Sequence, residues 1–204
     1  MPEYKEIRCA AIKELRVHDD SDGPMITGYA AVFDMLSEDL GGFRERVLPG
    51  AFTDTLKGKP DVKALIDHDS SKILGRTTAG TLTLEEDKKG LAVRISPADT
   101  TAGSDVLKSI KRGDIDQMSF AFQTVTDRWH TEDEEEIREL VAVNLFDVSV
   151  VTFPAYPDTS VAIRSNDPAV ALRSLVLHQR QQLADRKRRT RVHQQRAILE
   201  TMRR

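Results

Sequence analysis

The run LVAVNLFDVSVVTF, from Leu140 to Phe153 and closed by Pro154, constrains this chain more than any other stretch. It is rich in β-branched residues, it is apolar on nearly every position, and Pro154 ends it, so it predicts a long strand buried on most of its surface. Asp147 stands in its middle. A carboxylate buried there needs a partner, because an unpaired one costs several kcal/mol or titrates away its charge. His68 or a backbone donor can fill that role.

The rest of the first two thirds also reads as mostly β. Lys5 to Leu15 alternates apolar and polar residues, and MITGYAAVF at 25–33 follows the turn-like DDSDGP. Pro49-Gly50 marks a turn, with a short helix expected from Ala51 to Leu56. VKALI at 62–66 predicts a buried strand ending in Asp67-His68-Asp69. GTLTL at 80–84 and LAVRI at 91–95, joined by EEDKKG, predict a hairpin. Ala102 to Arg112 carries Val106, Leu107 and Ile110 at helical spacing and stops at Gly113, a good C-cap. MSFAFQTV at 118–125 alternates as a strand, with Met118, Phe120 and Phe122 on one face and Ser119 and Ala121 on the other. EDEEE at 132–136 reads as a solvated loop.

Charge divides the chain. It holds 30 Lys+Arg and 33 Asp+Glu; ten of the basic and three of the acidic residues lie after residue 164, which makes the tail net +7 and the body net −10. We therefore expect two parts, a globular domain over 1–165 and a basic, largely helical tail over 166–204, whose apolar stripe includes Ala169, Leu172, Leu175, Val176 and Leu183. The single Cys, Cys9, excludes a disulfide framework and a multi-Cys zinc site. No apolar run approaches about 18 residues, so no membrane span is expected. The charged start MPEYKEIRCAA does not suit a secretory leader, and a cytoplasmic setting is expected.

No P-loop, dinucleotide fingerprint, HExxH or GxSxG is present. What can carry chemistry is His68 at a strand end, Ser119 within a strand, and Asp147. Each also has a plain reading: a solvated turn, a space-filler, a buried acid with a structural partner. Chemically they form a coherent set. A hydroxyl is a poor nucleophile at neutral pH, an imidazole can take its proton, and a carboxylate can hold the imidazole tautomer. The chain order His, Ser, Asp differs from the orders of chymotrypsin, subtilisin and the α/β-hydrolases, so a separate fold is implied. A metal-assisted hydrolase built on Asp67, His68 and Asp69 is a weaker alternative.

The segments GYAAVFD (28–34), ERVLPGAF (45–52), LIDHD (65–69), LGRT (74–77), GLAVRISPADT (90–100), IKRGDIDQMSFAF (110–122) and LFDVSVVTFPAYPDTSVAIRS (145–165) carry a resemblance. Taken in this order, they make the sequence similar to the prohead, or capsid maturation, serine proteases of tailed bacteriophages, the HK97-type group related in fold to herpesvirus assemblins. The pairing of MSFAF with DVSVVTFPAYPDT is its most specific part. The resemblance implies an α+β fold that is mainly β: a closed or nearly closed antiparallel β-barrel with a few helices, followed by the helical tail. It puts the catalytic His on His68 and the nucleophile on Ser119. Many relatives carry Glu in the slot before V-S, where this chain has Asp147. Assemblins use a second His as third member; His130, His178 and His193 are therefore alternatives ranked below Asp147. Oxyanion donors are expected at Ala155 or Tyr156, since Pro154 lacks an N–H, although PAYPDT can equally be only a strand-ending turn.

The function implied is a serine endopeptidase that removes the scaffolding part of the major capsid protein inside the procapsid in the host cytoplasm, and cuts itself. It needs no cofactor or metal. Expected partners are the capsid protein and further copies of the chain. The tail can dock on capsid or scaffold, bind nucleic acid through RKRRTR at 186–191, or be a removable extension; its apolar stripe favours docking over nucleic acid. The alternative from another class is a non-catalytic assembly factor that templates the shell.

Overall fold

The computed structural model describes residues 5–9, 13–20 and 23–152. The expected tail over 166–204 and the PAYPDT segment lie outside these residues. In chain order the elements are β1 (Glu6–Cys9), β2 (Arg16–Asp20), β3 (Gly23–Val32), β4 (Arg44–Val47), α1 (Thr53–Lys57), β5 (Lys63–Ile66), β6 (Asp69–Arg76), a 3-10 turn (Thr77–Ala79), β7 (Leu82–Glu86), β8 (Gly90–Ile95), α2 (Thr101–Arg112), β9 (Gln117–Glu132) and β10 (Glu135–Val151). Among the described residues the fold is mainly β with few helices.

Local chemistry accounts for most of these elements. Thr100 caps α2 by accepting the Gly103 N–H at 3.1 Å, and Gly113 ends the helix at φ 86°, where a side chain would be strained. Val106 and Ile110 supply its buried stripe. The β7–β8 hairpin forms as the alternation predicts, with Leu82 opposite Ile95 and Leu84 opposite Val93. EDEEE is a tight reversal, not a loop. Asp133 and Glu134 take φ of 49° and 68°, so β9 and β10 become one long hairpin. Paired positive φ values match the right-handed twist of the two strands.

The strands fall into two sheets. One has the order β1-β9-β10-β5-β6, with β4 also on β10; the other has the order β2-β3-β8-β7. This corrects the expected antiparallel barrel in two respects. No closed barrel forms among the described residues, and both β4 and β5 run parallel to β10. The reason lies in the length of β10. Its edge away from β9 is long enough for β4 to pair with Ile137–Leu140 and for β5 to pair with Asp147–Val150, end to end. The segment carrying α1 crosses the gap and satisfies the free backbone groups there. Leu48 N–H donates to Leu140 O, Val143 N–H to Ala51 O, and Leu145 N–H to Thr55 Oγ1.

One apolar core joins the sheets. Ile26, Val93 and Ile95 from the second sheet meet Phe120, Phe122, Val148 and Val150 from the first, with Phe52 between. Phe52 packs edge-on to Phe120, whose ring stacks on Phe122 at 4.9 Å between centroids. Burying each ring stabilises the fold by roughly 1.5–3 kcal/mol. A rigid central hairpin results, and its opposite face is left for polar groups.

Candidate active site

Three strands of the larger sheet converge on that polar face. On β9, Ser119 and Ala121 point away from the Met118, Phe120 and Phe122 stripe, as the alternation predicts. On β10 the alternation alone would mislead. Leu145 pairs with Phe122 and Asp147 with Ala121, so two steps on β10 match one on β9. This β-bulge at Phe146 turns Asp147 away from the face that Leu145 occupies. Leu145 joins the apolar core, while Asp147 lies opposite Ala121, on the face that carries Ser119.

His68 arrives from the turn between β5 and β6. Asp67 and His68 have φ of 49° and 56°, both left-handed, so the strand reverses in two residues. Several contacts hold this turn in place. Asp67 N–H donates to Val150 O at 2.9 Å. The Asp67 carboxylate accepts the Thr152 N–H at 2.8 Å and the Thr152 hydroxyl at 2.9 Å. His68 N–H donates to Ser149 Oγ at 3.2 Å. Backbone strain in a non-glycine pair persists only where the surroundings over-determine it, as these bonds do.

The imidazole then spans the other two groups. His68 Nδ1 lies 2.6 Å from Asp147 Oδ1, and Nε2 lies 2.7 Å from Ser119 Oγ. An ionised carboxylate only accepts, so Nδ1 carries the proton and Nε2 is left as an acceptor toward Ser119. Asp147 and Ser119 are buried. Burial pushes the Asp147 carboxyl up, but the bonds from His68 and Lys5 outweigh it and leave the group below the ordinary carboxylate value. Lys5 Nζ sits 2.5 Å from Asp147 Oδ2. Ser149, two residues on and on the same face, donates to Asp147 Oδ1 at 3.3 Å.

The remaining candidates are not brought to this point. His130 sits far along β9 near the hairpin end, half-exposed, with Nε2 3.4 Å from Glu132. His178 and His193 lie outside the described residues, as do Ala155 and Tyr156. The Asp67 carboxylate is held by Thr152 and that of Asp69 by Ser71. Among the described residues no three His, Cys, Asp or Glu are placed to hold a metal ion. Ser149 and Lys5 are the neighbours that sequence reasoning missed. The period-two spacing of Asp147 and Ser149 pointed to the first, but nothing in the sequence pointed to the second.

A serine hydroxyl, an imidazole and a carboxylate in series form the kind of site used by hydrolases with a nucleophilic serine. The model of the family described as caudovirus prohead serine protease matches residues 12–172, and the chain belongs to that family. Among solved structures, the bacteriophage T4 capsid assembly protease, gp21, shares its fold at a TM-score of 0.51 and 11% identity. The alignment covers 76% of this chain and 100% of that one. No curated protein matches the chain significantly.

Proposed function

We propose that this chain is the capsid-maturation endopeptidase of a tailed phage, and that it cleaves the scaffolding part of the major capsid protein, and itself, within the assembling procapsid. In this reading Ser119 Oγ attacks the scissile carbonyl carbon while His68 Nε2 takes its proton. His68 then passes the proton to the leaving amine, giving a Ser119 acyl-enzyme and a free new N-terminus. Water, deprotonated by the same imidazole, releases the acid product and restores Ser119. Asp147 keeps the proton on Nδ1 and stabilises the imidazolium formed in each half. Residues 1–165 form the protease domain, and the basic segment beyond them docks on the capsid or scaffold partner.

The observation that carries this reading is the close approach of Ser119 Oγ to His68 Nε2 and of His68 Nδ1 to Asp147 Oδ1, at 2.7 and 2.6 Å, assembled from three distant stretches. Such proximity is what general-base activation of a hydroxyl requires. The family membership supplies the reaction class and its setting.

Co-expression with the capsid protein tests it. Wild type is expected to shorten the capsid protein, and Ser119→Ala to leave it full length, as read by mass spectrometry of termini. Undiminished processing by Ser119→Ala would remove Ser119 as the nucleophile.

A further inference from the structure

Ser119 is 0% exposed, and the chain's own first strand lies along it. β1 runs antiparallel on the outer edge of β9, with Cys9 opposite Ser119 and Arg8 opposite Phe120. The Arg8 carbonyl oxygen accepts from Ser119 Oγ at 2.8 Å, while His68 Nε2 waits at 2.7 Å. A hydroxyl has one proton to give. Donated to Arg8, it is not directed at the imidazole. From the residue just before β1, Lys5 reaches Asp147. The segment Lys5–Cys9 therefore touches two of the three groups.

The Arg8 side chain goes to the opposite face. Its Nε and Nη2 meet Glu45 Oε1 and Oε2 at 2.8 and 3.1 Å, a two-pronged pair, and its guanidinium lies over the Phe122 ring. Glu45 is buried and lines a cleft with Met35, Val47 and Phe120. Arg138 binds both Glu45 and Glu6 through Nη1, at 3.0 and 2.6 Å, and its Nε binds Asp127 at 2.8 Å. If β1 leaves, Glu6 and Arg8 leave together. Arg138 then keeps its bonds to Glu45 and Asp127, but Glu45 has lost the two-pronged Arg8 pair, so the place of that guanidinium suits another cation.

We propose that the edge of β9 taken by β1 is the substrate-binding strand, that its ligand is an extended peptide with Arg or Lys at the residue whose carbonyl reaches Ser119, and that β1 holds that place in the resting enzyme. This rests on Ser119 being the nucleophile. An extended peptide on a sheet edge gains main-chain hydrogen bonds whatever its sequence, and the pocket for its side chain sets the preference. A neutral side chain there leaves the buried Glu45 carboxylate with one of its two guanidinium partners missing. β1 is also suited to leave. None of its residues belongs to the apolar core, and its ladder on β9 is four residues long.

The test uses the full chain and two diphenyl phosphonates that phosphonylate a nucleophilic serine with loss of phenoxide, one with a guanidinoalkyl side chain and one with an alkyl side chain of equal length. Adducts on Ser119 are followed by mass spectrometry. The guanidino probe is expected to react about tenfold faster or more, and Glu45→Gln to erase that difference. Ile7→Gly weakens β1 without touching the ion cluster and is expected to speed both probes; its result stands even if Glu45→Gln does not fold. Equal rates for the two probes, or no acceleration in Ile7→Gly, overturn the proposal while leaving the nucleophile in place. Absence of any Ser119 adduct in both wild type and Ile7→Gly overturns the reading beneath it as well.

Discussion

Asp147 shows how much one side chain can depend on its neighbours. It is an acid in an apolar strand, kept ionised by the His68 imidazole and the Lys5 ammonium against the cost of burial. Asp147→Asn keeps the shape but can present its amide to Nδ1, which favours the wrong tautomer. We expect it to fold and to lose on the order of 10³–10⁴-fold in turnover, measured on capsid processing. The same lowered pKa has a stability consequence. A carboxyl whose folded pKa lies below its free value of 3.8 contributes stability in full above that value and loses it as pH falls through the lowered one. The urea midpoint of wild type should therefore hold down to about pH 5 and fall below about pH 4, and Asp147→Asn should fall less steeply over that acid range. Parallel acid curves would mean that Asp147 is not held ionised by the fold.

At the scale of elements, the hairpin that carries His68 is positioned by close backbone contact. Gly75 on β6 pairs with Ala64, and a Cβ built there would lie 2.6 Å from the Thr81 carbonyl oxygen. Gly75→Ala must push β6 away from the Thr81 segment and tilt the turn that aims His68. We expect a loss of about 1–3 kcal/mol in urea unfolding, with processing reduced further than that loss of folded protein explains. Much at this scale was legible in the sequence. The β7–β8 hairpin, α2 with its Gly113 cap, α1 and the site-facing parity of Ser119 followed from alternation, spacing and turn residues. β2, β4 and β6 were not read. β4 and β6 are short or irregular, and their pattern is set by the β10 and β5 edges they pair with. The bulge at Phe146 was likewise invisible, because one extra residue leaves no mark on composition.

For the molecule as a whole, a buried ion cluster ties distant parts together. Arg138 on β10 binds Glu6 of β1, Glu45 of β4 and Asp127 of β9. Burial works against its charge, but the bonds to Glu6 and the other acids hold the guanidinium more firmly protonated than usual. Replacing it with Met leaves the buried Glu6 and Glu45 carboxylates sharing the Arg8 guanidinium. Arg138→Met is expected to cost about 3–5 kcal/mol in equilibrium unfolding; a change under about 1 kcal/mol would mean that water screens the cluster. The two-sheet architecture also belongs to this scale. A resemblance implied a barrel, but whether strands close a circle depends on which edges meet. Here the 17-residue β10 offers one edge to two parallel strands in succession.

The sequence by itself determined the strand-rich character, the faces of β9, the helix ends and the three residue types whose chemistry belongs together, because period, turn chemistry and the functional group a side chain carries are local properties. The tertiary structure alone decided that the three meet. That outcome needs a bulge to turn Asp147, two left-handed residues to turn His68, and a parallel pairing of β5 on β10. It also decided that β1 lies on Ser119, since contacts between residues more than a hundred positions apart are fixed by packing and edge pairing, which no local pattern encodes.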